Sequence, residues 1–592
     1  MIRPEKNNLA RLTKPRGRAI LPVCLVLVLL VWVASFPWAI SYGQEPGQEP
    51  QQPEKLVPEE FKNSIPYLST LPSMIIAESL GVTEAAGISL DPRAKAERLR
   101  ELELWFKGFP RFQGANIAAN VGIGVHPTKH ENEPTVAVNP QNEQLLVAGS
   151  HFLGPPAPTT NRCVAFTSSD GGFTWSEPFP MPHLHPSSAC SDPVLAYAPD
   201  GNRVYYAYMD IKTPSLGGID IVVSFSNDNG ANWIGPTLVL DGSSMGPVSF
   251  IYDKPWIGTH IDVPGSQANN SFVYVTATLF GLIPGGLLPT TGSIAFIRSA
   301  NQGVSWGNAR LLDMGRDSPL PQVIVQGSRP VGGLGGEVLV AWYHSGADGW
   351  GPGNSPSGGG EFQIRTARSA NNGLTFSELA VAASDSFEAP FFLGPMASFQ
   401  RWWPTMMPDV EIDLSGVAHI TYAHDPEEGS LSAEDGDVRY VSSFGPPYDT
   451  WSAPLTISDD GRAQAQGFPA LETVGMDAHV IWEDHRLSPL PAANIFYDVF
   501  YTLISGGTST PNARVTEASS LGDFNFNGDY FDLTAGFSGI FGVWTDRRDK
   551  ISIFDDEDDV WGARIEWGVV NLSVENSKST RVTLTNRSLT RK

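Results

Sequence analysis

Ser168-Ser-Asp170-Gly-Gly172-Phe-Thr174-Trp175 follows directly on a β-like run, Cys163-Val-Ala-Phe-Thr167, and the chain returns to this arrangement three more times. The later copies are Ser226-Asn-Asp228-Asn-Gly230-Ala-Asn232-Trp233, Ser299-Ala-Asn301-Gln-Gly303-Val-Ser305-Trp306 and Ser369-Ala-Asn371-Asn-Gly373-Leu-Thr375-Phe376. Each trails a strand-like segment such as Ile221-Val-Val-Ser-Phe225 or Ile294-Ala-Phe-Ile297. Asp or Asn at the third position can accept bonds from backbone amides ahead of it, and Gly at the fifth tolerates positive φ. The closing aromatic packs the turn on its own sheet. Self-similarity at a period of roughly 60–75 residues sets the architecture before any single residue is interpreted.

Composition agrees with a turn-rich, all-β chain. Among 592 residues there are 59 Gly and 48 Pro, only 17% are charged, and 16 Trp with 30 Phe supply apolar area for a core. Working outward, second strands recur at 145–151, 204–210, 272–278, 338–344, 418–424, 479–484 and 540–546. Third strands also number seven if the degenerate runs starting at Val438, Asp498 and Asp559 are included, and Ser443-Phe-Gly-Pro-Pro-Tyr-Asp-Thr-Trp451 reads as a decayed fifth octet that keeps its Trp. The outermost strand of the seventh unit has two candidate sources, 115–122 and 569–574.

The octets closely resemble the Asp-box, or bacterial neuraminidase repeat, of sialidase-like β-propellers. Asn132-Glu-Pro-Thr-Val-Ala-Val-Asn-Pro140, Asp253-Lys-Pro-Trp256, Gly528-Asp-Tyr530 and Trp544-Thr-Asp-Arg-Arg548 extend the likeness to a group of exported bacterial proteins called sialidase-like, most without an established activity. The resemblance covers roughly residues 130–566. It implies an Asp-box β-propeller, counted here as seven-bladed, with the six blades of characterised sialidases as the alternative.

The segments outside the repeats divide the chain further. Residues 1–43 carry a basic stretch (Arg3, Lys6, Arg11, Lys14, Arg16, Arg18) and an apolar run from Ala19 to Ile40, read as a signal peptide cleaved after Ser41-Tyr42-Gly43 or a retained membrane anchor. Residues 44–90 form a linker that opens Pro/Glu/Gln-rich, and 91–114 hold a short helix at 91–107 with its lead-in, capped by Asp91 and stopped by Gly108. The propeller spans 115–566, and 567–592 are a tail. Export makes the protein secreted, periplasmic or surface-bound, so Cys163 and Cys190, 27 residues apart, are expected to form a disulfide, with two buried thiols as the alternative.

Charge narrows the partners. The net charge is −24, and removing 1–43 (six positive, one negative) takes it to −29. Nucleic acid and anionic membranes are disfavoured, which leaves an extracellular or cell-surface glycan or protein and a membrane only through the N-terminal anchor. No motif requires a cofactor. Asp523, Asn525, Asn527 and Asp529 alternate as oxygen ligands around Gly528, a calcium-like pattern that lacks its closing Glu.

Topology selects one face for chemistry. Octets join third to fourth strands, so second-to-third and sheet-to-sheet connections gather on the opposite face. That face collects the candidate catalytic acids Glu133, Asp192, Asp253, Asp484 and Asp546. His344, His424, Arg486 and Arg547, with Arg401 and Trp403 of the aromatic-rich connection 384–407, are the candidate substrate contacts. An acid before Pro also serves as a turn cap, and Trp-x-Asp-x-Arg also makes a structural ion pair. The resemblance implies three arginines, a Tyr–Glu pair and an Asp acid, as exo-sialidases use. Where their Arg-Ile-Pro would stand, this chain has Asn132-Glu133-Pro134, and no Tyr–Glu pair can be assigned. Two functions follow: a glycoside hydrolase using axial carboxylates, or a non-catalytic binding scaffold.

Overall fold

The computed structural model describes residues 115–567 except 126–129, 154–161, 186–187, 213–217, 243, 246–247, 261–271, 283–290, 316–324, 346–361, 386–406, 425–435, 461–463, 465, 489–495, 522–527, 537–538 and 550–557. The N-terminal targeting segment, the linker, the 91–107 helix and the C-terminal tail lie outside the described residues. Apart from one 3₁₀ turn at Leu334–Gly336, the described elements are β-strands. None of the described helices is long and apolar enough to cross a membrane.

Every second strand expected from sequence is present, from Asn142–Leu153 and Val204–Ile211 to Asp477–Asp484 and Gly539–Asp546. Each lies antiparallel between a first and a third strand, as in the set His130–Asn139, Asn142–Leu153, Arg162–Ser168 and Phe179–Pro180. Hydrogen bonding defines six sheets where the sequence counts seven four-stranded units. The difference has one cause: a parallel pairing of Ile251 with Ile219 joins two such units into a nine-stranded sheet. The question left open at the last sheet is answered by the N-terminal side. Ala115–Ile117 and Val121–Gly124 both pair with Asp559–Trp567.

The core lies between neighbouring sheets rather than inside any one of them. Leu339, Tyr343 and Phe362 of one sheet pack with Ile420 and Tyr422 of the next. First and last sheets meet in the same way, with Val136 and Phe166 against Phe541 and Val543. Side chains also tie the first strand to Asp532–Ala535 of the last sheet: Thr135 Oγ1 donates to Asp532 Oδ2 (2.8 Å), and the Val138 amide to Thr534 Oγ1 (3.1 Å).

The octet turns are built as their sequence suggests, with one addition. In the first, Asp170 Oδ1 accepts from the Thr174 amide (2.9 Å), Asp170 Oδ2 from the Thr174 hydroxyl (2.7 Å), and Ser168 Oγ from the Gly172 amide (2.9 Å). In the third, Asn301 does the same work, accepting from the Ser305 amide (2.9 Å) and donating to the Ser305 hydroxyl (2.8 Å). Fifth-position glycines have φ of 74–90°. They also abut a neighbouring sheet: a Cβ on Gly172 would fall 2.3 Å from Phe541, and one on Gly373 2.5 Å from Phe296. Gly therefore serves both the turn and the close approach of sheets. The decayed octet retains part of this, since Trp451 Nε1 donates to the Tyr448 carbonyl (3.1 Å) as Trp175 does to Gly172 (3.1 Å).

Cys163 and Cys190 are joined in a disulfide with Cα atoms 5.5 Å apart. It links the third strand of one unit to the first strand of the next.

Candidate functional site

Five innermost strands carry the same irregularity near their starts. Pairing register shifts between Asn132 and Thr135, Ser191 and Val194, Asp253 and Trp256, Gln326 and Arg329, and Gly467 and Ala470. At each bulge one residue adopts positive φ: Glu133 (54°), Asp192 (52°), Lys254 (51°), Gly327 (66°) and Phe468 (50°). Four of these precede proline, which itself disfavours helical conformations of either hand at that position. A left-handed residue other than Gly costs about 1–2 kcal/mol. Such strain persists only where the surroundings over-determine it, and it clusters at functional sites. The bulges turn three charged side chains toward one another.

Lys254 occupies the centre of this cluster. Its Nζ lies 3.3 Å from Asp192 Oδ2, 3.1 Å from Asp529 Oδ2 and 4.4 Å from the centre of the Tyr530 ring. Carboxylate oxygens of Glu133, Asp192 and Asp529 fall within 4.8 Å of one another, close enough to share a cation, and the lysine ammonium supplies one. Gly528 makes the approach of Asp529 possible. At φ 92°, a Cβ there would sit 2.8 Å from the Glu133 amide nitrogen.

Burial and mutual repulsion hold Glu133 and Asp253 toward their neutral forms. Burial, then the charge of Asp192, raises the Glu133 pKa well above the ordinary glutamate value, against the opposing pull of Lys254. The same causes push Asp253 up to about 7, and burial raises Asp529 as well. Burial opposes the charge on Lys254, but Asp529, Asp192, Glu133 and Asp253 together outweigh it and raise its pKa.

A second acidic group adjoins on the next innermost strands. Arg329 Nη1 is 2.6 Å from Asp409 Oδ2, and its guanidinium stacks 3.6 Å from the centre of the Trp256 ring. Burial, followed by Glu472 and Asp409, raises Glu411 well above its usual value. Burial also lifts Glu472 to about 8 and Asp532 to about 6. Between the two groups opens a narrow cleft whose walls include Lys254, Trp256, Arg329, Phe468, Asp529 and Tyr530. Its walls combine aromatic faces with two paired cations, Lys254 and Arg329, and one carboxyl, Asp529.

The structure thus brings Glu133, Asp192 and Asp253 together and leaves Asp484 and Asp546 in ion pairs of their own. Asp484 Oδ2 accepts from Trp482 Nε1 (2.8 Å) and Arg486 Nη2 (2.7 Å), while its Oδ1 accepts from the Arg486 amide and Nε. Asp546 repeats this with Trp544 and Arg548. Both acids are buried, and each arginine covers an aromatic ring, Arg486 on Phe500 and Arg548 on Trp561. Trp-x-Asp-x-Arg is here a strand-end clamp. Arg547 is fully buried against Asp558 (Nη2 to Oδ2, 3.0 Å). His344 and His424 are buried at the ends of their second strands. Arg401, Trp403, Asp523, Asn525 and Asn527 lie outside the described residues, and Asp529 is engaged by Lys254.

Sequence reasoning did not single out Lys254, Arg329, Tyr530, Asp409, Glu411, Glu472 or Asp532. The available signal was phase. Glu133-Pro134, Asp192-Pro193, Lys254-Pro255 and Phe468-Pro469 stand at one position of the repeat, so Lys254 belongs beside the acids already chosen.

No protein-family model matches the chain, and no curated protein matches it. Solved structures similar in arrangement include a protein of unknown function from Dyadobacter fermentans DSM 18053 (TM-score 0.41, 13% identity, 77% of this chain and 100% of that one). An α-L-arabinofuranosidase from Fusarium graminearum in complex with arabinobiose is similar with TM-score 0.38 and 13% identity, over 67% of this chain and 97% of that one. The Hadza microbial sialidase is similar with TM-score 0.38 and 13% identity, over 71% of this chain and 76% of that one.

Proposed function

We propose that this chain is an exported, seven-bladed Asp-box β-propeller whose axial cleft binds and hydrolyses a glycan. The observation that carries the reading is the convergence of Glu133, Asp192 and Asp529 within 4.8 Å beside an aromatic-walled cleft. Hydrolysis of a glycosidic bond needs one carboxyl that holds a proton and one that does not. Glu133 and Asp253, both held toward the neutral form, suit the acid role, and Asp529, which lines the cleft and pairs with Lys254, suits the ionised role. The short separation favours retaining over inverting chemistry, which requires roughly 6.5–9.5 Å between the carboxyls. The exo-sialidase label is not part of the proposal, since no arginine stands at the Glu133 position.

A scaffold reading draws on Glu133 itself. Its Oε2 accepts from the Asp192 amide (3.1 Å) and the Ser191 hydroxyl (3.2 Å), as a purely structural acid would. A panel of chromogenic glycosides separates the two. With residues 44–592 as the enzyme, turnover is expected, reduced at least about 100-fold by Asp529→Asn or Asp253→Asn, the scale of lost acid–base catalysis. Asp170→Asn is the control, because Asn301 and Asn371 already do that residue's work. Absence of turnover on every glycoside would leave the scaffold.

A further inference from the structure

We infer that the ligand of the axial cleft is a sugar without carboxylate or sulfate groups, neutral or amino-bearing. This rests on the glycan-binding reading above and adds the class of sugar. Among the described residues the cleft has two cations at its walls, and both are already engaged. Lys254 is held between Asp192 and Asp529, and Arg329 is held by Asp409 and flattened on Trp256. Clamping an anionic substituent would require pulling one cation away from its carboxylate, and the abandoned buried charge is the costly product of breaking such a pair.

The surrounding acids strengthen the bias. Glu133, Asp192, Asp253 and Asp529 face one lysine; Asp409, Glu411 and Asp532 interact with one arginine, and Glu472 adjoins Asp409 and Asp532. With eight carboxyls against two cations among the described residues, the cluster carries net negative charge, and repels more of it, whenever more than two of the carboxyls are ionised. The chain as a whole repeats the sign, at −24.

A neutral polyol meets the opposite situation. Hydroxyl groups need donors and acceptors side by side. The cleft wall offers Asp529 as an acceptor beside the N–H donors of Lys254 and Arg329, and Phe468 and Tyr530 present apolar ring surface for the sugar's C–H faces. An amino sugar gains further, since its ammonium adds a third cation to an acid-rich wall.

The test is binding of the full chain to an array in which each neutral glycan is paired with its uronic, sulfated or sialylated counterpart and, where one exists, its amino counterpart. Neutral or amino members are expected to bind at least tenfold more tightly than their anionic partners, with the gap narrowing in Asp529→Asn. Should that variant fail to fold, Asp192→Asn, which removes the other carboxylate paired with Lys254, reads the same effect. Equal or tighter binding of the anionic members, or an unchanged gap in folded variants, overturns the inference while leaving glycan binding intact. No binding to any glycan overturns both.

Discussion

The octet turns and the innermost-strand bulges sit at opposite ends of the same sheets, and both hold residues at positive φ, yet they treat their acids in opposite ways. In the octets the acid is near solvent and saturated by donors. Burial slightly favours the neutral form of Asp170, but the Thr174 hydroxyl and amide outweigh it and the pKa falls. At Asp228, bonds from Asn232 and Ser226 lower it likewise. At the bulges and beside them the acids are buried and crowded, so Glu133, Asp253 and Asp529 move upward. A turn acid is chosen for the geometry it imposes, whereas a bulge acid is held in a protonation state that costs stability. Stability spent in this way is common at sites that bind or react.

Removing the cation should expose that difference most strongly. Lys254→Met leaves Asp192 and Asp529 buried without their partner, and is expected to cost about 3–5 kcal/mol near neutral pH. The loss should shrink at pH 5, where Glu133, Asp253 and Asp529, raised by burial, are more protonated and need less counter-charge. Denaturant midpoints at the two pH values check this, and an equal loss at both would mean the cluster is not charged as described.

Gly172→Ala tests the other face. It combines left-handed strain of about 1–2 kcal/mol with overlap against Phe541, for an expected cost of about 2–4 kcal/mol. Thermal unfolding of the variant would show a purely local turn effect instead if the loss stays near the strain figure alone.

The pH profile of stability sharpens the contrast further. The folded-state pKa values of the axial acids are raised, so the native protein holds more protons than the unfolded chain above about pH 4. Their contribution is therefore complete below the unfolded values and lost as pH rises through about 6 for Asp532, 7 for Asp253 and 8 for Glu472. Unfolding midpoints should fall between pH 5 and 8.5, and a profile that rises across that window would contradict the assignment. Smallest of all, Asp170→Ala should cost about 1–2 kcal/mol, as a lost capping acceptor does. Asp170→Asn should stay within about 0.5 kcal/mol. Neither should alter the slope with pH.

Much of this was legible without coordinates. The four octets announced repeated sheets because Asp or Asn, Gly and an aromatic act locally, within eight residues of chain. The seven second strands followed from their apolar runs, and Cys163 with Cys190 from the compartment. The acids before proline were visible as well, but the identity of their neighbours was not. Asp484 and Glu133 look alike in sequence, each an acid near a strand end, and only their surroundings separate a clamp from a cluster member.

By itself, the sequence determined the repeat, the strands and the octet geometry, because each depends on contacts a few residues apart. Tertiary structure alone decided that Lys254 meets Asp529 from 275 positions away and that Gly528 seats against Glu133. It also decided that Asp484 and Asp546 belong to Trp–Asp–Arg clamps. Those outcomes depend on bringing distant strand starts together, where burial and neighbouring charge, rather than residue type, set what a carboxyl does.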